Sequence, residues 1–174
     1  MESRQPSPRS RVPSILAAIV IGGLAIAFAL AWDASRQPSS GRDWRLVAQQ
    51  RGSGDPGQVH VLDDDTEVAA AWKALHLVGP PAVVDFDRSL ALWLTGVGTI
   101  GCPSRLDDIS IDVAGGDVVA TFSRGFTLGC DDGVVPDSFL VAVDRDRLPA
   151  GPFRVRLVGP HPPEVTPGSV EVNP

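Results

Sequence analysis

The hydrophobic pattern of this chain changes period from segment to segment, and each change predicts an element. From Ser14 to Trp32 the run SILAAIVIGGLAIAFALAW carries no charge over nineteen residues. As a helix it spans roughly 28 Å, close to the ~30 Å hydrocarbon core of a bilayer, which predicts a transmembrane anchor over residues 13–32. A period of two follows. Trp44, Leu46 and Ala48 alternate with Arg45 and Gln49, so residues 44–51 read as a first strand with those three side chains on one face. Gly52, Gly54, Pro56 and Gly57 supply a turn, after which Gln58 to Leu62 pairs back as a short second strand.

The period then lengthens. Val68, Trp72 and Leu75 recur at helical spacing with Lys73 opposite, Asp65 or Thr66 is placed to cap the helix, and Glu67 sits in the first turn, where a carboxylate favours the free N–H groups. Gly79-Pro80-Pro81 is the stop signal. Val83 to Phe86 and Leu90 to Thr95 are apolar on both sides of an extended chain, as a strand covered on both faces requires. Ile109, Ile111 and Val113 alternate with polar residues, as do Val118, Ala120 and Phe122. If Gly115-Gly116 is a two-residue turn, Val113 faces Val118, Ile111 faces Ala120, Ile109 faces Phe122 and Ser110 meets Thr121 on the other side. Phe139 to Val143 reads as an interior strand, and Phe153, Val155 and Leu157, alternating with Arg154 and Arg156, as a last strand with one wet face. The turn between them is forced by Pro149, Gly151 and Pro152.

These elements predict an α+β, mostly β domain over residues 43–159: a small, mainly antiparallel sheet with one packed helix. Residues 33–42 hold Pro38, Ser39, Ser40 and Gly41 and read as a flexible linker, and residues 160–174 as a proline-rich tail, extended or disordered.

Charge fixes the topology. Arg4, Arg9 and Arg11 precede the apolar run, and positive charge beside a membrane segment stays on the cytoplasmic side. Residues 1–12 are then a cytoplasmic tail, and the domain lies outside. The competing reading is secretion after signal cleavage near Ala31, with Ala29 and Ala31 as the A-x-A site. From Asp33 onward the chain has twenty acidic and twelve basic residues, a balance that argues against a nucleic-acid partner and against adhesion to anionic lipid. The spacing of Ala18 with Gly22, and of Gly23 with Ala27, permits close helix approach in a membrane but is common by chance.

Cys102 and Cys130 are the only cysteines, and in an exported domain a lone pair is most simply a disulfide. No C-x-x-C redox motif occurs. The histidines, His60, His76 and His161, form no zinc motif; none is expected to be catalytic. Asp63, Asp64, Asp65 and Glu67 admit a calcium reading, but Val68 and Ala74 stand where an EF-hand needs glycine and glutamate, so capping is the better account. Asp107-Asp108, Asp131-Asp132 and Asp144 with Asp146 read as solvated turn and strand-end residues, and Gly96-Val97-Gly98 lacks the context of a phosphate-binding loop. No catalytic residue, metal site or cofactor is expected.

The block from Val83 to Phe122 and the segment from Phe139 to Leu157 resemble small exported actinobacterial domains of unknown function. More remotely they resemble the carboxyl-terminal domain of the PrcB family, protease-complex stabilising proteins. The shared features are Asp85-Phe86 at a strand start, the glycine-containing loop, the hairpin and a late Leu-Pro-x-Gly-Pro turn. The chain departs from that family's Gly-Gly-Tyr with Ile100-Gly101-Cys102, and it has no tyrosine. The resemblance implies protein binding without catalysis.

The expected function is therefore a membrane-tethered, extracytoplasmic, non-catalytic domain that binds or stabilises another envelope protein. It would present an exposed apolar or edge-strand surface, for instance near the loops around Cys102 and Cys130, and no deep cleft of converging polar groups. The alternative is a small-molecule or lipid sensor with Trp72 and Trp93 lining a binding surface. A hydrolase, with a partner for His60 or His76, comes third.

Overall fold

The computed structural model describes residues 41–125, 130, 133–160 and 168–173. The apolar segment of residues 13–32, the cleavage site, His161 and Asp131-Asp132 lie outside the described residues. Among the described residues no helix is long and apolar enough to cross a membrane.

Among the described residues, eight strands form two four-stranded sheets: β1 (Trp44–Arg51), β2 (Val59–Leu62), β3 (Ser89–Thr99), β4 (Ser104–Asp112), β5 (Asp117–Arg124), β6 (Val134–Asp144), β7 (Phe153–Val158) and β8 (Ser169–Val172). An α-helix, α1 (Asp65–Ala74), the one such helix among the described residues, follows β2. The first sheet has the order β1-β6-β3-β2 and is antiparallel throughout. The second has the order β4-β5-β7-β8, with β5 and β7 parallel. The α+β, mostly β class holds, but the expected sheet is two sheets stacked face to face.

Alternation explains the stacking. Leu90, Leu92 and Leu94 of β3 and Phe139, Val141 and Val143 of β6 form a buried cluster with Val118, Ala120 and Phe122 of β5 and Phe153, Val155 and Leu157 of β7. The Phe122 and Phe139 rings meet across the gap, with centroids 5.5 Å apart. The opposite faces of β3 and β6 pack under α1: Val68 and Ala71 join Leu62, Ala91, Leu140 and Ala142, with Trp72 and Trp93 at the margin. β3 and β6 thus lie in the middle layer of three, which is why both are apolar on both faces.

Several local expectations are corrected. Val83 to Phe86 is not a strand; Val84 is buried in the α1 cluster while Val83 is 84% exposed, so the apolar run serves a loop that folds over the helix layer. β2 pairs with β3 and not with β1. In β1 the register shifts between Leu46 and Ala48, so Leu46 packs on the inter-sheet core while Val47 and Ala48 pack on the helix side. The hairpin has a four-residue loop: Asp112 pairs with Asp117, Ile111 with Val118 and Ile109 with Ala120, two residues out of the expected register. Ser110 pairs with Val119, and Val113 is 60% exposed in the loop. A two-residue turn of the common hairpin type needs left-handed backbone at both positions, and here only Gly116, at φ 68°, has it. The Asp112 carboxylate accepts from the Gly115 N–H at 3.0 Å and holds the wider loop. The tail beyond residue 160 is extended over Ser169–Val172, where it pairs with β7 and buries Val172, so the domain continues past Gly159.

The helix is capped one residue earlier than expected. Asp64 accepts from the Glu67 N–H at 2.8 Å, and Glu67 reaches back to accept from the Asp63 N–H at 2.6 Å. This reciprocal arrangement is close to a capping box and gives the acidic run its structural role. The helix also ends before Gly79-Pro80-Pro81. Leu77 N–H donates to the Trp72 carbonyl and His76 N–H to the Lys73 carbonyl, both at 3.1 Å, closing a Schellman motif with His76 at φ 54°. That left-handed position favours glycine. His76→Gly is expected to raise the unfolding free energy by up to about 1 kcal/mol and His76→Val to lower it by at least as much, as read from urea midpoints.

Candidate functional site

β1, β3 and β6 end together at Arg51, at Thr99 and, on the β6 side, at Val134, and β4 starts there at Ser104. Between the sheets at this end lies Asp137, 1% exposed. Its Oδ2 accepts from the Ser104 N–H at 2.6 Å, joining β6 of the first sheet to β4 of the second. Its Oδ1 has the Arg51 Nε at 3.7 Å and, among the described residues, no hydrogen-bond donor. Burial pushes the Asp137 carboxyl above the ordinary carboxylate range, against the lowering effects of the Ser104 N–H and of the Arg51 charge.

Room for this carboxylate comes from glycine. Asp137 stands opposite Gly96 in the β3–β6 pairing, and a Cβ on Gly98 would lie 2.5 Å from its Oδ2 and 2.6 Å from the Ser104 nitrogen. A Cβ on Gly96 would overlap the Ser104 hydroxyl. Gly96-Val97-Gly98 therefore leaves space for protein side chains, a role that the glycine pattern alone did not disclose.

Arg51 completes the arrangement. Its Nη2 donates to the Thr99 carbonyl at 2.7 Å and to the Ile100 carbonyl at 2.6 Å. Thr99 and Cys102 exchange backbone hydrogen bonds at 2.8 and 3.1 Å, closing the turn that connects β3 to β4. Cys102, fully buried, is bonded to Cys130 with Cα atoms 5.3 Å apart. The turn is thus held by a guanidinium, a buried carboxylate and a disulfide, and at its tip Ile100 is 65% exposed. Gly133 and the 36% exposed Val134 adjoin it: a Cβ on Gly133 would be 3.8 Å from the Ile100 Cδ1. The disulfide pairing is as expected from the sequence.

Trp72 and Trp93 fall elsewhere, on the helix side of the first sheet and only partly buried. Trp93 Nε1 donates to the Ser138 hydroxyl at 3.0 Å, and that hydroxyl donates to the Ser53 carbonyl at 2.7 Å, with the Thr95 hydroxyl at 3.2 Å. The exposed His60 ring stacks beside Trp93, with centroids 4.9 Å apart, and its Nε2 lies 2.8 Å from Gln58 Oε1. The Trp72 indole N–H is buried without a hydrogen-bond partner among the described residues. An open cavity of about 560 Å³ at the other end of the sandwich is lined by Leu90, Arg145, Leu148, Phe153 and Val172 among others, with neither tryptophan in its wall. Asp107 and Asp108 lie at the β4 bulge, where Asp107 accepts from the Ser123 hydroxyl at 2.9 Å, and Asp144 caps a short 3-10 turn by accepting from the Asp146 N–H at 3.1 Å.

Sequence reasoning missed Arg51 and Asp137. The available signal was an aspartate set immediately before the apolar run SFLVAV, opposite a strand with glycine at alternate positions. A scan of protein-family models, a search of curated proteins and a search of solved structures each find nothing that matches this chain.

Proposed function

We propose that the chain is a membrane-tethered, extracytoplasmic domain that binds and stabilises another envelope protein and carries out no chemistry itself. The observation that carries this reading is Ile100. A large aliphatic side chain is held in water on a turn whose Thr99 and Ile100 carbonyls accept from Arg51, whose Thr99 and Cys102 backbones bond each other and whose cysteine is in a disulfide. Such a side chain loses little further freedom when a partner covers it, which is what makes an apolar anchor effective in an interface. The disulfide beside it fits an oxidising compartment, and the charge asymmetry about the apolar amino-terminal segment fits export of everything after it.

A photo-crosslinking residue at position 100, introduced in intact cells, is expected to trap a discrete envelope protein. The same residue at Lys73, on the exposed side of α1, should trap none. Ile100→Asp should abolish co-purification of the trapped protein while leaving the thermal midpoint of the domain within a degree or so, because an exposed substitution moves stability by less than about 0.5 kcal/mol. Equal adduct patterns at both positions would end the protein-binding reading.

A further inference from the structure

We infer that the chain pairs with a second copy of itself along the free edge of β1. The two β1 strands run antiparallel about a two-fold axis between Val47 and Ala48 and join two four-stranded sheets into one. The inference goes beyond the binding surface at Ile100 and does not depend on it.

The backbone of β1 sets the register. Among the described residues β6 lies on one side of β1 and no strand on the other. In an antiparallel pair, hydrogen-bonded and non-bonded positions alternate, so one fixed point in each half shows which groups face outward. In the first half the Asp144 N–H donates to the Asp43 carbonyl at 2.8 Å. Arg45 therefore faces β6 as well, and Trp44 and Leu46 turn their amides and carbonyls away from it. In the second half the Gly52 N–H donates to the Pro136 carbonyl at 2.7 Å. Ala48 and Gln50 then face β6, and Gln49 and Arg51 turn outward. The outward Arg51 carbonyl accepts from its neighbour's side chain, the Gln50 amide at 3.3 Å; the other outward groups have no backbone partner among the described residues.

The bulge selects the partner. Outward groups of a regular strand recur at every second residue, but Val47 is an extra residue in β1, so Leu46 is followed by Gln49. A regular strand laid on this edge would match one half and lose register in the other. A second β1, reversed, carries the same irregularity in the same place. Trp44 then meets Arg51 of the other copy, Leu46 meets Gln49, and Val47 meets Ala48 across the axis. The side chains agree with this register. Val47 and Ala48, both half-buried, put apolar groups at the centre. Each arginine of the strand falls opposite an uncharged residue, Arg45 opposite Gln50 and Arg51 opposite Trp44.

The other edges are poorly suited to a second copy. β2 and β8 have four residues each, and beside them the Gly168 N–H donates to the Gly57 carbonyl at 2.7 Å, linking the two sheets on that side. β4 holds Asp107, Asp108 and Asp112, so a second β4 would bring carboxylates together. From Leu46 to Gln50, β1 has neither a charge nor a proline, two of the devices that protect an edge.

The test uses the full chain in detergent. In the inferred pairing Arg45 and Gln50 of opposite copies form a non-hydrogen-bonded pair, the kind that brings Cβ atoms within disulfide range. One preparation carries Arg45→Cys and another Gln50→Cys, and the two are mixed under mild oxidation. The mixture is expected to give a covalent dimer in several-fold higher yield than either variant alone, because two copies of the same cysteine stand at opposite ends of the paired strands. Gln49→Pro in both chains removes an N–H that β6 does not use, and should cut the yield roughly tenfold with the far-ultraviolet circular dichroism unchanged. Should the proline variant lose its fold, Ala48→Lys in both chains brings two ammonium groups to the axis on stems that can reach water, and the same loss is expected. A mixture that crosslinks no better than the single variants overturns the inference, as does a yield that neither substitution lowers. Trapping at position 100 is read separately, so failure here leaves the Ile100 reading standing.

Discussion

Replacing Asp137 by alanine is expected to lower the unfolding free energy by about 2–3 kcal/mol, the cost of leaving a buried donor without its acceptor. The Ser104 N–H has the Asp137 carboxylate at 2.6 Å as its partner, inside the junction of the two sheets, where water cannot replace it. Arg51 loses less: its side chain is 43% exposed and keeps two carbonyls, so its part of the loss is screened. Urea unfolding of Asp137→Ala against the wild type gives the number.

Asp137→Asn separates the charge from the contact. Because the folded-state pKa is raised above the ordinary 3.8, the native state binds this proton more tightly than the unfolded state does. The contribution of Asp137 to stability is then fully present below the ordinary carboxylate range, and it is lost as pH rises through the raised folded value. The wild-type unfolding free energy minus that of Asp137→Asn should therefore decline with rising pH across that window and then level off. A difference that grows with pH would show that Arg51 outweighs burial.

The second large effect concerns the disulfide. Cys102 and Cys130 are separated by 28 positions. Opening a loop of that size restores denatured-chain freedom equivalent to about 3.5 kcal/mol in the chain-entropy description. Cys102→Ala with Cys130→Ala should lower the denaturant midpoint accordingly and increase the steepness of the transition, since the unfolded chain expands further.

Much of the fold was legible because burial has a period. The helix face of Val68 and Trp72, the interior runs of β3 and β6 and the wet face of β7 all follow from alternation read locally. What escaped was whatever breaks the period. The extra residue in β4 between Leu106 and Asp108 puts Leu106 and Ile109, three apart, on the same face, so a strict count of two omits Leu106. The shift at Val47 sends Ala48 away from Trp44 and Leu46 in the same manner. The division into two sheets also lies beyond any local pattern, since it depends on β7 choosing β5 as a parallel neighbour over the antiparallel pairing that a short connection suggests. At the site, the disulfide was legible from the cysteine count and from the export that the apolar amino-terminal segment predicts. The Arg51–Asp137 pair was not, because a lone arginine at a strand end and a lone aspartate before another resemble ordinary surface charges until β1 and β6 are paired.

The order in which strands find neighbours has a bearing on biosynthesis. Among the described residues β1 is the first strand to emerge and β6 is its one paired neighbour, and β5 must wait for β7, so neither sheet can close until the last third of the polypeptide is present. Distant pairings of this kind make assembly slow relative to helical proteins. A partly synthesised chain therefore has no completed sheet on which to build its core, and the inter-sheet packing waits for β6, β7 and β8 to emerge.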